Sequence, residues 1–143
     1  MRFAVIKFLA LGVAANLTSF AVAAQTTVYS RAMARSGEPV RVAYYFTVSG
    51  DCKISSLPVS VAAAPAHGIA VVKESKVKTK RAKRCGELEG PTNVLYYRSK
   101  VGYTGDDTFT YKVTDSSGKA QEHVVQVKVA PGSRKENNAD KSI

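Results

Sequence analysis

An all-β chain folded as an antiparallel sandwich of about seven strands is what this sequence predicts. Three observations predict it. Apolar and polar residues alternate with a period of two through most of the chain. Clusters of Gly, Pro, Asp and Ser interrupt that alternation at short, regular intervals, as in a sandwich. No segment beyond residue 24 keeps a helical period over a long window.

The elements follow in order. The stretch "TTVYS" (26–30) reads as a first edge strand, and Ser36-Gly37-Glu38-Pro39 as the turn that closes it. "VRVAYYFTV" (40–48) places Val40, Val42, Tyr44, Phe46 and Val48 on one face and Arg41, Ala43, Tyr45 and Thr47 on the other. Ser49-Gly50-Asp51 ends it. "VSVAAAPAHG" (59–68) is alanine-rich but broken by Pro65. "GIAVVK" (68–73) and "VLYYR" (94–98) are short, β-branched or aromatic strands. "TFTYKVT" (108–114) groups Phe109, Tyr111 and Val113, and "HVVQVKVA" (123–130) turns Val125, Val127 and Val129 inward. With no Trp in the chain, Tyr44, Phe46, Tyr97, Phe109 and Tyr111 are the expected aromatic core, at ~25 cal/mol per Å² buried. Tyr45, Tyr96 and Tyr103 are expected at the surface.

The two ends set the compartment. Arg2 and Lys7 precede an apolar run (8–24), and Val22-Ala23-Ala24 supplies small residues at the −3 and −1 positions of a cleavage site. Residues 1–24 thus read as a signal peptide removed before Gln25. A retained anchor is the rival reading, but Asn16, Thr18 and Ser19 interrupt the apolar core. The mature chain has no second apolar span, so no transmembrane segment is expected in it. Residues 25–131 form one domain, and 132–143 a disordered polar tail. Export places the protein in the periplasm or at the cell surface. There, Cys52 and Cys85, the two cysteines of the chain, are expected to form a disulfide. It would close 33 positions and contribute about 3–4 kcal/mol by chain entropy. A redox or zinc pair would require a CxxC or a larger ligand set, and neither is present.

The chain carries 21 basic and 11 acidic residues; removal of 1–24 leaves 19 against 11. Much of this excess lies in one window. "KESKVKTKRAKR" (73–84) holds Lys73, Lys76, Lys78, Lys80, Arg81, Lys83 and Arg84 against Glu74. The window is expected to lie in a basic loop spanning 73–93. As a functional element it would contact an anionic polysaccharide or lipopolysaccharide. As a purely structural one it would be a solvated hairpin whose lysines oppose edge-to-edge pairing. Nucleic acid is a poor fit, because the run lacks interleaved aromatics and the chain reads as exported.

"PAHGIAVV" (65–72) and "VLYYRSKVGYTGDDTFTYKVTDSSGKAQEHVVQVKV" (94–129) resemble the bacterial Ig-like/cadherin-like domains that recur in large surface proteins. The positions that carry the resemblance are Gly68, Tyr97, Gly102, Tyr103, Gly105, Asp107, Phe109, Tyr111, Thr114, Asp115 and Gly118. It covers about half of the mature chain and implies an antiparallel Ig-like β-sandwich. The chain departs from the pattern at Ser99, where proline is usual, in the lengthened segment before "LYY", and in having no internal repeat.

Some domains of that kind bind calcium, which makes Asp106, Asp107 and Asp115 candidate oxygen ligands. No DxDxDG loop surrounds them. In the structural reading Asp107 caps a turn and orders the Gly105 loop, while Asp115 opens an Asx-type turn completed by Gly118. His67 and His123 read as strand-end residues, and no hydrolase, phosphate-loop or dinucleotide motif is present. No catalytic residue and no cofactor is therefore assigned. The expectation is a non-enzymatic binding module acting through 73–84. The alternative is a structural or adhesion subunit that meets protein partners at its sheet edges.

Overall fold

The computed structural model describes residues 26–133. The expected signal peptide and all but the first two residues of the polar tail lie outside them. Eight strands form: β1 (Thr27–Arg35), β2 (Pro39–Val48), β3 (Ile54–Ser56), β4 (Val59–Ala63), β5 (Gly68–Thr79), β6 (Leu88–Ser99), β7 (Gly105–Thr114) and β8 (Ala120–Ala130). They make two four-stranded sheets, ordered β1-β8-β7-β4 and β3-β2-β6-β5. Every pairing is antiparallel except β1 with β8, which is parallel. With the three-residue β3 set aside, the remaining seven strands follow an immunoglobulin-type arrangement. Strands 2, 6 and 5 face 8, 7 and 4, and the first strand has crossed over to join the last. The fold is an all-β sandwich with one disulfide, Cys52–Cys85.

The core lies between the sheets. Leu95, Tyr97, Phe109, Val125 and Val127 are fully buried, with Tyr111, Val113, Val129 and Ala34 around them. Tyr97 and Phe109 stack across the sheets with ring centroids 5.8 Å apart. Each large side chain withdrawn from water there contributes roughly 2–3 kcal/mol.

Strand β2 departs from simple alternation. Its register with β6 slips between Arg41 and Ala43, a β-bulge. One extra residue reverses the parity of everything after it. Val40 and Val42 face the core as expected, but beyond the bulge it is Tyr45 that packs inward. Its hydroxyl meets that of Tyr111 at 2.7 Å. Tyr44 and Phe46, expected in the core, stand on the outer face, stacked on each other at 6.2 Å. Tyr103, expected at the surface, lies partly against the core.

The expected basic loop at 73–93 is also corrected. Residues 73–79 are the outer half of β5, and 88–93 the first half of β6. Twelve consecutive residue pairs, from Gly68↔Ser99 to Thr79↔Leu88, join the two strands. Lys83–Cys85 form a 3-10 turn at the tip. The β-branched and long side chains at 71–79 suit an extended edge, and the alternating Lys and Val residues continue the period of two past the sandwich body.

Candidate functional site

The outer face of the β3-β2-β6-β5 sheet is built from rows of side chains that the register fixes. One row is Ile69, Arg98 and Pro39; the next is Val71, Tyr96 and Arg41; the third is Lys73, Val94 and Tyr44. Val94 is buried although it lies outside the core, because the long side chains of this face cover it. Ile69 stays 48% exposed and Tyr44 37% exposed. No carboxylate occurs in these rows.

At the tip end of the face, arginines sit over the aromatic pair. The Arg41 guanidinium lies 5.5 Å from the Tyr44 ring centroid, and that of Arg81 5.7 Å from Tyr44 and 5.9 Å from Phe46. Arg81 also donates to the Tyr44 hydroxyl at 3.2 Å. Stacking of this kind holds a guanidinium in place while leaving its edge donors free for an anion. The bulge creates this arrangement, since without the parity change Tyr44 would point away from Arg41.

Besides Arg81, two further links fasten the tip to the sandwich. The Cys52–Cys85 disulfide joins it to the β2–β3 turn, and Arg84 donates to the Ser49 carbonyl at 3.4 Å. Gly90 lets β3 pass close above β6: a Cβ there would stand 2.4 Å from the Ile54 Cβ. The sevenfold basic window is therefore ordered, but it is not one patch. Lys78 pairs with Glu89 at 3.3 Å and Lys80 with Glu87 at 3.4 Å, both exposed. Lys76 shares the parity of Lys78, on the face opposite Lys73. Among the described residues Lys73, Lys76, Arg81, Lys83 and Arg84 make no ion pair. The outer-face arginines Arg41 and Arg98 are not among the site residues expected from the sequence, and Tyr96 is expected there only as a surface aromatic. Their signal was the outward parity of β2 and β6 next to the basic strand.

The acidic candidates do not converge. Asp107 is buried. One carboxylate oxygen accepts from the Ala66 and Thr108 amides at 3.1 and 3.0 Å. The other accepts from the His67 amide at 3.1 Å and the Tyr97 hydroxyl at 2.8 Å. It fixes the approach to β5 rather than the Gly105 loop. Burial and the carboxylate together push the Tyr97 phenol far above its ordinary value. Asp115 takes the Asx turn expected of it: one oxygen accepts from the Ser117 amide at 2.9 Å, the Ser117 hydroxyl at 2.6 Å and the Lys119 amide at 3.0 Å. Asp106 and Asp115 stand at opposite ends of β7, about 30 Å apart at the usual rise. The three cannot share an ion. Among the described residues no three His, Cys, Asp or Glu side chains are grouped to hold a metal.

The histidines are separated as well. His67 stacks on Tyr103 at 4.1 Å. His123 is buried against Tyr111 and Tyr45, with centroids 4.8 and 5.9 Å away, and its Nε2 has no partner. Burial holds its pKa below the usual histidine value. Neither ring faces a nucleophile in these contacts. No described helix is long and apolar enough to cross a membrane. No protein-family model matches the chain, and no curated protein matches its sequence.

Proposed function

We propose that the protein is an exported, non-enzymatic binding module, related to the bacterial Ig-like/cadherin-like domains, that contacts an anionic component of the envelope or its surroundings. The observation that carries this reading is the pair of guanidiniums held over Tyr44 and Phe46 beside a covalently fastened basic hairpin. Anion capture needs donors that are ordered yet incompletely paired. Arg41 and Arg81 answer to that, with Lys73, Lys83 and Arg84 nearby in the same region of the chain. The contact surface is thus refined from the whole of 73–84 to its unpaired cations and the arginine that β2 supplies.

The test is binding of the purified protein to lipopolysaccharide and to an acidic polysaccharide at 50 and at 200 mM salt. Several cooperating cations make affinity fall steeply with salt. The double variant Arg41→Gln/Arg81→Gln should lose most of the binding, whereas Lys78→Gln/Lys80→Gln should lose little. Salt-independent binding, or equal losses in the two variants, would refute the assignment.

A second reading has its own observation. β1 is an edge strand that leaves Tyr29 and Met33 74% and 67% exposed. A structural or adhesion subunit would use such an edge to add a partner's strand. Crosslinking in whole cells distinguishes the two: adducts at position 29 or 33 favour the edge, and adducts around Arg81 favour the anion surface.

A further inference from the structure

We propose that the Ile69–Val71–Tyr96 end of the outer face is the seat of an acyl chain, so that the ligand is an anionic amphiphile. This rests on the anion-binding reading above and names its ligand class. Pro39, Ile69, Val71 and Tyr96 line a groove of about 540 Å³, within the range of small-molecule sites. Lys73 and Arg98 close it, and both are cations. The row containing Tyr96 leads directly to Arg41 and the arginine–aromatic cluster.

The lining decides between a lipid and a sugar. A saccharide is recognised by side chains that exchange hydrogen bonds with its hydroxyls. Between its two cations this groove offers two aliphatic side chains, a proline and the Tyr96 ring, while Tyr97, which also borders it, turns its side chain into the core. The backbone of β6 beneath it is paired on both sides, with β2 and β5. An alkyl chain needs no more than such a surface, and the flanking cations are complementary to a phosphate or carboxylate at its end. Sandwiches with a solvated outer sheet face normally carry polar residues there. The opposite sheet is more polar on its two central strands, with Thr108, Thr110, Lys112, Gln126 and Lys128 outward; its outward apolar residues are Val124 and, on the edge strand β1, Tyr29 and Met33.

The experiment is calorimetric titration of the purified protein with dodecyl phosphate, decyl phosphate, dodecylphosphocholine and glycerol phosphate, all below micelle formation. Full burial is worth about 0.8 kcal/mol per methylene, or roughly fourfold in affinity. Dodecyl phosphate should therefore bind several-fold tighter than decyl phosphate, and both far tighter than glycerol phosphate. Dodecylphosphocholine, equal in chain but without net charge, should bind more weakly than dodecyl phosphate. Ile69→Ser should abolish the chain-length effect, and Lys73→Gln/Arg98→Gln the preference for net charge. Both variants change exposed positions, and an unaltered melting temperature certifies their fold. Affinity that ignores chain length, or wild-type behaviour of Ile69→Ser, overturns the acyl seat. Salt-sensitive binding of an acidic polysaccharide alongside that result would leave the broader anion reading standing. Absence of both kinds of binding would remove the two together.

Discussion

The two ends of the β5–β6 hairpin are held by opposite means. At its base, a single buried carboxylate, Asp107, gathers four donors from three parts of the chain. At its tip, some 36 Å of strand away, a disulfide and hydrogen bonds from Arg81 and Arg84 do the fastening, and the surrounding lysines remain in water. At the base, the one candidate carboxylate that lies there buried is consumed by the fold. At the tip the disulfide is the covalent link, and Arg81 and Arg84 each keep guanidinium donors beyond the one hydrogen bond they make to the sandwich. Charge that a structure does not use for itself is available for a partner.

The sharpest way to break that contrast is to remove the carboxylate. Asp107→Ala leaves a buried phenol and three part-buried amides, those of Ala66, His67 and Thr108, short of an acceptor. An unsatisfied buried group costs about 1–3 kcal/mol, and water reaches the part-buried amides, so the total should be ~4 kcal/mol. Urea denaturation measures it. A loss below about 1.5 kcal/mol would mean that Asp107 is only a turn residue. Next comes the tip. Cys52→Ser/Cys85→Ser frees a loop of 33 positions and should cost about 3–4 kcal/mol. It should also flatten the salt dependence of anion binding, because the hairpin cations lose their fixed position. Full binding by the disulfide-free protein would show that the tip needs no anchor.

The contrast also explains what could be read from sequence. Alternation placed Phe109, Tyr111, Val113, Val125, Val127 and Val129 correctly, because β7 and β8 pair without a slip over ten residues. It failed on β2. A bulge changes parity without leaving any special residue type behind, so Tyr44, Tyr45 and Phe46 were exchanged between faces. The disulfide was legible from count and compartment alone. The basic run was legible as charge but not as strand. Lysine-rich alternation resembles a loop in composition, and its conformation comes from pairing with 88–93, whose Gly90-Pro91 reads as a turn. β3 and β4, three and five residues long, carried too little periodicity to be seen.

A smaller effect tests the middle of the sandwich core through pH. His123 is buried with an unpartnered Nε2, and burial lowers its folded-state pKa. The unfolded chain therefore binds a proton before the folded one does. The stability that neutral His123 contributes is complete above about pH 6.5, its ordinary value, and is lost as pH falls toward the lower folded value. The melting temperature should decline between pH 7.5 and 5, and the decline should shrink in His123→Phe, which keeps the stack on Tyr111. The carboxylates of Asp51, Asp115 and Glu38, whose values are lowered by hydrogen bonds, titrate below this window. Equal slopes in the two proteins would place the pH dependence elsewhere.

The smallest expected change in stability is the most informative for function. Arg81→Gln removes a cation–π contact with Tyr44 and Phe46 and one hydrogen bond at an exposed site. Such contacts are worth about 0.5–1 kcal/mol, so the urea midpoint should barely move. Its binding of an acidic polysaccharide should nevertheless fall several-fold at low salt, since the cation of the window that stacks on the outer-face aromatics is gone. Asp107→Asn, which keeps one acceptor oxygen, should do the reverse, losing stability while the folded fraction binds as before. If Arg81→Gln lost stability in proportion to binding, the arginine would be a brace for the hairpin tip. The functional surface would then have to be sought on the lysines beyond it. If the two variants separate as described, the base of the hairpin supports the fold, and the tip presents the charge that the fold leaves unspent.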